Sequence, residues 1–185
     1  AAKVVPQYED MLEQMMLKSL ESVEKLQGRT LLLVDVSGSM FGTKVSSKSD
    51  IDRSDAAAAL AMLCREICEE VEIFSFSGHA ARVAPRRGFA LREAISNSQS
   101  HRGTYLGQSL AEIDMANKGR KYDRVIVFTD EQIHDSVGTP LARKNNYIIN
   151  VAAYKNGINS AEWTTVSGFS EAVIDFIRYM EKSPF

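Results

Sequence analysis

The sequence predicts an α/β fold: a doubly wound, mostly parallel sheet with helices on both faces and one short antiparallel edge strand. Several short segments are continuously apolar, which is typical of parallel strands buried on both sides. They alternate along the chain with segments whose apolar residues recur at helical spacing, and such alternation favours right-handed crossovers. The length of 185 residues, without an internal repeat, is that of one domain.

The first two elements follow from apolar spacing. Residues 8–25 predict an amphipathic helix, because Met11, Met15 and their neighbours recur at helical spacing among Glu and Lys. We interpret this methionine stripe as packing in the core or at a domain interface, and Gly28 as the end of the helix. The run of Leu and Val over 30–36 then predicts a buried strand.

The later elements are bounded by turn and capping residues. Pro85 ends the short edge strand, Gly119 stops a helix and Ser170 caps the last helix. The patterns predict, in order, a helix over 54–70, a strand over 71–77, the edge strand over 81–84, helices over 89–97 and 104–117, a strand over 123–129, a weak helix over 140–145, strands over 147–154 and 163–166, and a helix over 170–181.

Composition and charge narrow the class of protein. The chain is 44% hydrophobic and 25% charged with a net charge of −2, which gives the domain alone no electrostatic reason to bind nucleic acid or an anionic membrane. No stretch is apolar enough for a membrane span or a signal peptide. Cys64 and Cys68, four apart in a predicted helix, are interpreted as reduced core thiols on one face. Together these features predict a cytoplasmic protein, and the missing initial Met suggests a piece of a longer chain.

Hydroxyl and carboxylate side chains lie at the ends of two predicted strands and at the start of one predicted helix. Asp35 lies near the end of the first strand, with Ser37 and Ser39 just after it. Thr104 begins a predicted helix, and Asp130 follows the fourth strand. In an open α/β sheet, ligands bind beyond the carboxyl ends of the strands. These five hard oxygen donors suit Mg²⁺ or Mn²⁺ and leave at least one coordination position open. A partner's carboxylate can fill that position, so the metal can bridge two proteins.

The same residues resemble those of a known family. The segment from Asp35 to Ser39 matches the DxSxS motif of von Willebrand factor A domains, the metal-ion-dependent adhesion site. Gly103 and Thr104 resemble that family's threonine loop, and Asp130 its aspartate after the fourth strand. The resemblance implies a non-enzymatic protein-binding module in which hydroxyls and aspartates hold a divalent metal.

Two further stretches resemble the Ro/TROVE group of RNA-binding proteins. They are QGRTLLLVDVSGSM at 27–40 and the ending TVSGFS at 165–170, which is followed by VIDFI. In that group a separate ring of helical repeats binds RNA. The resemblance therefore implies that RNA contacts a neighbouring domain of a longer parent chain. It also implies a division into a helical segment, 1–27, which ends the preceding domain, and an A domain, 28–185.

Several residues near the predicted site have open roles. Glu131 is either a neighbour of the metal ligands or solvated, and the loop histidines are interpreted as exposed. Arg102 stands where many family members have a second glycine, and either stiffens the loop or places a cation near an incoming anion. A basic patch is interpreted as edge charges that discourage sheet pairing, with RNA or protein contact as the alternative; it consists of Arg82, Arg86, Arg87 and Arg92.

Two other functions remain as alternatives. A Mg²⁺-dependent phosphohydrolase of the haloacid dehalogenase type needs a second Asp two residues after its nucleophile, and that position here is Ser37. We therefore predict no enzymatic activity. An A domain that serves an ATPase, of the chelatase or tellurium-resistance type, is the other alternative. Because the chain lacks GxxxxGK[ST], the nucleotide site would belong to the ATPase.

Overall fold

The computed structural model describes residues 6–152, 161–170 and 172–182. At its centre is a six-stranded sheet in which every neighbouring pair is parallel except the pair at one edge. The predicted fold class, including the antiparallel edge strand, is therefore confirmed. The strands, in the spatial order β3-β2-β1-β4-β5-β6, are β1 (Leu26–Asp35), β2 (Cys68–Phe76), β3 (Ala80–Arg82), β4 (Tyr122–Thr129), β5 (Ala142–Asn150) and β6 (Thr164–Ser167).

Helices cover both faces of the sheet. Because side chains alternate along a strand, Leu32 and Val34 of β1 face one apolar core and Leu31 and Leu33 face the other. The first core also receives apolar residues from α1, α2, α3 and α5, whereas α4 packs in the second. The helices of the described residues are α1 (Glu9–Leu20), α2 (Arg53–Ile67), α3 (Gly88–Ser96), α4 (Leu106–Ala116) and α5 (Ala172–Lys182).

The predicted weak helix over 140–145 is wrong. Strand β5 already begins at Ala142, and the residues before it form an extended loop. Ala142 and Asn145 pair with Tyr122 and Arg124 of β4, so sheet pairing determines the conformation of most of the residues that were predicted as a helix. The loop nevertheless buries Leu141 and packs Ile133 and Val137 against the second core, and so covers the sheet without a helix.

Two helix ends were placed too late along the chain. Helix α1 stops at Leu20, and Gly28 lies inside β1 with a φ of +84°. A Cβ on Gly28 would lie 2.5 Å from Asp123 Oδ2, so glycine is needed there for a close strand contact. Helix α2 stops at Ile67, and Cys68 begins β2. The two cysteines are free and buried as predicted, but they do not share a helix face.

The methionine stripe of α1 is only partly buried. Met11 and Met15 are 52% and 62% exposed, whereas Met16, Leu20 and Val23 pack against the first core. Of the predicted apolar stripe, Met16, Leu20 and Val23 therefore contribute to the core, whereas Met11 and Met15 do not. The interpretation of residues 1–27 as the end of a preceding helical domain stays a prediction.

Helix α1 contacts α3 through a partly buried carboxylate. Glu13 Oε1 accepts a hydrogen bond of 2.7 Å from the backbone N–H of Phe89, in the first turn of α3. Carboxylates at this end of a helix are favoured by the free N–H groups and the helix dipole. A Cβ on Gly88 would lie 1.4 Å from the same oxygen, so this contact also requires a glycine at position 88.

We expect Glu13→Ala to lower the free energy of unfolding by about 1 kcal/mol, because it leaves an N–H of α3 without its acceptor. Urea unfolding followed by circular dichroism measures the loss. Gln14→Ala, at an exposed position of the same helix, is the matched control and should leave stability nearly unchanged. Equal stability of both variants would show that α1 is not held to α3 through this carboxylate.

Candidate metal-binding site

The sheet brings the predicted metal ligands to its topological switch point. From β1 the chain builds β2 and β3 on one side and then returns to build β4, β5 and β6 on the other. The order reverses between β1 and β4, whose carboxyl ends lie side by side, with Val34 paired to Phe128. Asp35 is the last residue of β1, and Asp130 directly follows β4. Both aspartates therefore lie at the crevice where ligands bind in this fold class.

Asp35 accepts short hydrogen bonds from its own turn and from the end of β4. Its Oδ1 accepts from the backbone N–H of Ser37 at 2.8 Å, and its Oδ2 accepts from Thr129 Oγ1 at 2.6 Å. The hydroxyl oxygens of Ser37 and Ser39 lie 3.3 Å apart. The DxSxS segment is thus a compact turn that gathers one carboxylate and two hydroxyls, with the carboxylate fixed in orientation.

Burial makes the negative charge of Asp35 costly. The residue is 1% exposed, and burial raises the pKa of its carboxyl from 3.8 to about 6. Hydrogen bonds from Ser37 and Thr129 oppose this rise of the pKa, and the nearby charge of Asp130 adds to it. A buried carboxylate with a raised pKa is a group that a bound cation would stabilise in its charged form.

The threonine loop is tied to the same crevice. The backbone N–H of Gly38 donates to Arg102 O at 3.1 Å, which joins this loop to the DxSxS turn. Thr104 is buried and exchanges two bonds with His134: its N–H donates to His134 Nδ1 at 2.9 Å, and its carbonyl accepts from the His134 N–H at 2.8 Å. Since α4 begins only at Leu106, Thr104 precedes the helix and does not cap it.

The two loop histidines support the loops of the crevice, which the sequence interpretation missed. His101 Nδ1 donates to Val36 O at 2.8 Å, and its ring lies 3.9 Å from that of Phe41. A Cβ on Gly103 would lie 3.2 Å from His134 Nδ1, so the small residue allows this ring to approach Thr104. Both histidines are exposed, as expected, yet each one fixes backbone next to a predicted ligand.

A buried ion pair within the crevice was also missed. Arg53, at the start of α2, donates from its guanidinium to Asp130 Oδ2 at 2.6 Å, and the two side chains are 9% and 0% exposed. The other oxygen, Oδ1, accepts from the N–H of Gln132 at 3.2 Å. The position of Arg53 could have indicated this ion pair. A cation in the first turn of a helix is disfavoured by the helix dipole, so Arg53 requires an acidic partner.

The structure shows the surroundings of Glu131 and Arg102, whose roles the sequence left open. Glu131 is buried and has a φ of +60°, and its N–H donates to Thr129 Oγ1 at 3.1 Å, so it is not solvated. Arg102 is exposed, and its backbone N–H donates to Ser77 Oγ at 2.7 Å. Its side chain carbons lie near Gly78. The backbone of Arg102 thus stiffens the loop, while the charged side chain of Arg102 remains at the surface.

The donor set at the crevice suits a hard divalent cation. Across the described residues, no group of three or more His, Cys, Asp and Glu side chains is placed to hold a metal. A cation at the crevice would therefore depend on the hydroxyls of the turn and the threonine loop besides the two aspartates. Such all-oxygen ligands are those that Mg²⁺ and Mn²⁺ accept.

One solved structure among those compared supports this fold. The structure is similar to the crystal structure of the Deinococcus radiodurans Ro (RSR) protein, with a TM-score of 0.72 and 22% identity, over 94% of this chain and 38% of that one. An aerotolerance-related membrane protein from Bacteroides fragilis matches with a TM-score of 0.47 and 18% identity, over 82% and 86% of the two chains. No helix of the described residues has the length and apolar character that a membrane crossing requires.

The family is shown by the sequence itself. The model of the Ro60 vWA domain matches residues 29–154, which is more than half of the chain. The chain therefore belongs to the Ro60 vWA domain family. None of the curated proteins matches it. Because the chain spans only 38% of the Deinococcus protein, the functions of a whole Ro protein come to it only as proposals.

Proposed function

We propose that this domain is a non-enzymatic, metal-dependent binding module of a Ro-like protein. Asp35, Ser37, Ser39, Thr104 and Asp130 would hold Mg²⁺ or Mn²⁺, and a carboxylate of a partner protein would complete the coordination. The observation that carries the proposal is the meeting of two buried aspartates, from adjacent parallel strands, with the hydroxyl-bearing turn at the switch point.

The arrangement supports binding better than catalysis. Both oxygens of Asp35 already accept hydrogen bonds, so the carboxylate is oriented to bind a cation and is poorly placed to attack a substrate. The residue two positions later, Ser37, offers a hydroxyl where a phosphohydrolase would need an acid or base. A bound Mg²⁺ would supply the positive charge that attracts a partner's carboxylate, and the chain's own residues would orient it.

RNA binding would belong to another part of a longer parent chain. The structural relative is a Ro protein, of which this chain spans 38%. The net charge of the chain is −2, which does not favour attraction of a polyanion to the domain alone. We therefore propose that the domain contributes a protein contact to a ribonucleoprotein.

Calorimetric titration with Mg²⁺ and Mn²⁺, each with and without acetate, tests the proposed function. If an incoming carboxylate completes the coordination, acetate should tighten metal binding, and metal should be required for acetate to bind. Tight metal binding that acetate leaves unchanged would contradict the bridging role. Absence of metal binding under both conditions would contradict the metal site itself.

Ser39→Ala provides a sharper test, because the hydroxyl is partly exposed and its removal should not disturb the fold. We expect a loss of Mg²⁺ affinity of about tenfold, since one neutral oxygen ligand is lost. Ser47→Ala, at an exposed position in the loop that follows, should bind Mg²⁺ like the unaltered protein. Equal affinities of the two variants would remove Ser39 from the ligand set.

A further inference from the structure

The open edge of β2 lies far from the metal crevice. Strand β3 pairs only with Phe74–Phe76, although β2 begins at Cys68. Beyond the bond from Val83 N–H to Ile73 O, of 2.9 Å, β2 itself is the edge of the sheet. Val71 pairs with Thr30 of β1, five residues before Asp35, so this edge lies roughly 17 Å from the crevice along the strand.

Backbone groups of this edge point away from the sheet. Along a strand, the N–H and C=O of successive residues alternate between the two neighbouring sides. Phe76 O accepts from Val36 on the β1 side, and Ile73 O accepts from Val83 on the outer side. By the same alternation Val71 faces outward. Within the described residues, neither the N–H nor the C=O of Val71 forms a hydrogen bond.

A groove of about 620 Å³ runs along these open backbone groups. The segment from Val83 to Pro85 forms one wall, and β2 from Cys68 to Ile73 forms the other. Pro85 offers no backbone donor, so this wall cannot extend β3 and close the edge. The groove therefore has room for one extended segment, which could continue the antiparallel pairing that β3 begins.

The charges at the groove favour an acidic occupant. Glu72 already binds Arg29 at 3.1 Å, and Glu69 accepts from the N–H of Gly28 at 2.9 Å. Lys25 and Arg82 also line the groove, and within the described residues neither has an ion-pair partner in contact. The charge of Arg82 acts on Glu72 and that of Lys25 on Glu66, but without direct contact. With Arg65, three cations line the groove against Glu69 and Glu72, so its net charge is positive and favours glutamate or aspartate side chains of an incoming strand.

The arginines of the basic patch have different contacts in the structure. Arg87 forms an ion pair with Glu66, and Arg92 forms one with Asp55, so both fasten α3 to α2. Of the four arginines of the patch, Arg82 lines the groove. Because a second copy of this chain would present the same cations, the charges oppose pairing of two identical edges and favour an acidic partner.

We propose that the open edge of β2 is a docking site for an extended acidic segment of a partner protein. The segment pairs its backbone with Val71 and places carboxylates beside Lys25 and Arg82. This proposal does not depend on the metal site, and it is tested in the presence of EDTA.

The probe is a capped hexapeptide in which glutamate and valine alternate. Titrated into the whole ¹⁵N-labelled chain, it should shift the amide signals of Val71, Ile73 and Arg82 and leave those of Ser37 and Ser39 unchanged. Replacing the glutamates by lysine, or methylating alternate peptide nitrogens on the pairing edge, should abolish the shifts. Arg82→Glu should weaken binding about fivefold, and Arg120→Glu, at an exposed site outside the groove, should not.

Four outcomes would overturn the proposal. The first is the absence of shifts at millimolar peptide, and the second is shifts that survive the lysine exchange or N-methylation. The third is displacement of the peptide by a single-stranded oligothymidylate that shifts the same signals, which would assign the groove to nucleic acid. A dimer in sedimentation that Arg82→Glu alters would likewise replace the partner by a second copy.

Discussion

Asp35→Asn is expected to abolish Mg²⁺ binding and, at the same time, to make the metal-free protein more stable at pH 7. The carboxylate is 1% exposed, and its burial raises the pKa from 3.8 to about 6. An amide can bond to both partners, because Oδ1 still accepts from Ser37 and Nδ2 can donate to Thr129 Oγ1, in the direction opposite to the present bond. The substitution therefore removes the buried charge without removing its partners.

The pH dependence follows from the sign of the shift. Since the folded-state pKa lies above the unfolded value, folding disfavours the charged form of Asp35. The cost is absent below pH 3.8, grows up to about pH 6 and is fully present above it. Its size is on the order of 3 kcal/mol at pH 7. The gain in stability from Asp35→Asn should therefore be seen at pH 7 and vanish near pH 4.

Urea unfolding in EDTA at both pH values, together with Mg²⁺ calorimetry, measures the two effects. Asp175→Asn, at an exposed position of α5, is the matched control and should change the free energy of unfolding by only a few tenths of a kcal/mol. A variant that still binds Mg²⁺ would contradict the site. A variant that loses stability at pH 7 would contradict the cost of the buried charge.

The residues that end strands were the most predictable part of this molecule. The runs LLLV at 31–34 in β1 and VIVF at 125–128 in β4 are apolar, and each is followed closely by polar residues, so sequence alone located Asp35 and Asp130 at strand ends. Parallel pairing then places the two ends side by side. Whether these residues bind metal stays a prediction, because adjacency of oxygen donors is a condition for coordination and does not demonstrate it.

The contacts within the crevice were less predictable, because they join residues far apart in sequence. Arg53 lies 77 positions before Asp130, and His134 lies 30 positions after Thr104. Neither pair leaves a local spacing pattern. The predicted helix over 140–145 failed for a related reason: Ala142 and Asn145 pair with Tyr122 and Arg124 of β4, and this pairing joins residues about 20 positions apart.

Arg53→Met is the second change with a large expected effect, and it should act oppositely on stability and on metal affinity. The guanidinium donates to an Asp130 side chain that is 0% exposed. Removing the guanidinium takes away positive charge that compensates this buried carboxylate, so the metal-free protein should lose about 3 kcal/mol of stability. A divalent cation in the crevice would no longer be repelled by Arg53, and Mg²⁺ affinity should rise about tenfold or more.

Melting temperatures in EDTA and in Mg²⁺, with calorimetry of the variant and the unaltered protein, measure the loss of stability and the gain of Mg²⁺ affinity. The variant should melt lower than the unaltered protein in EDTA and recover much of the difference in saturating Mg²⁺, because ligand binding stabilises the folded state. Arg53→Lys keeps the charge and should stay close to the unaltered protein in metal affinity. If Arg53→Met instead lowers Mg²⁺ affinity, the guanidinium serves to orient Asp130 for the metal and does not compete with it. In the expected case, Arg53 supplies the crevice with a tethered cation, so that one of its two buried carboxylates is neutralised before any metal arrives.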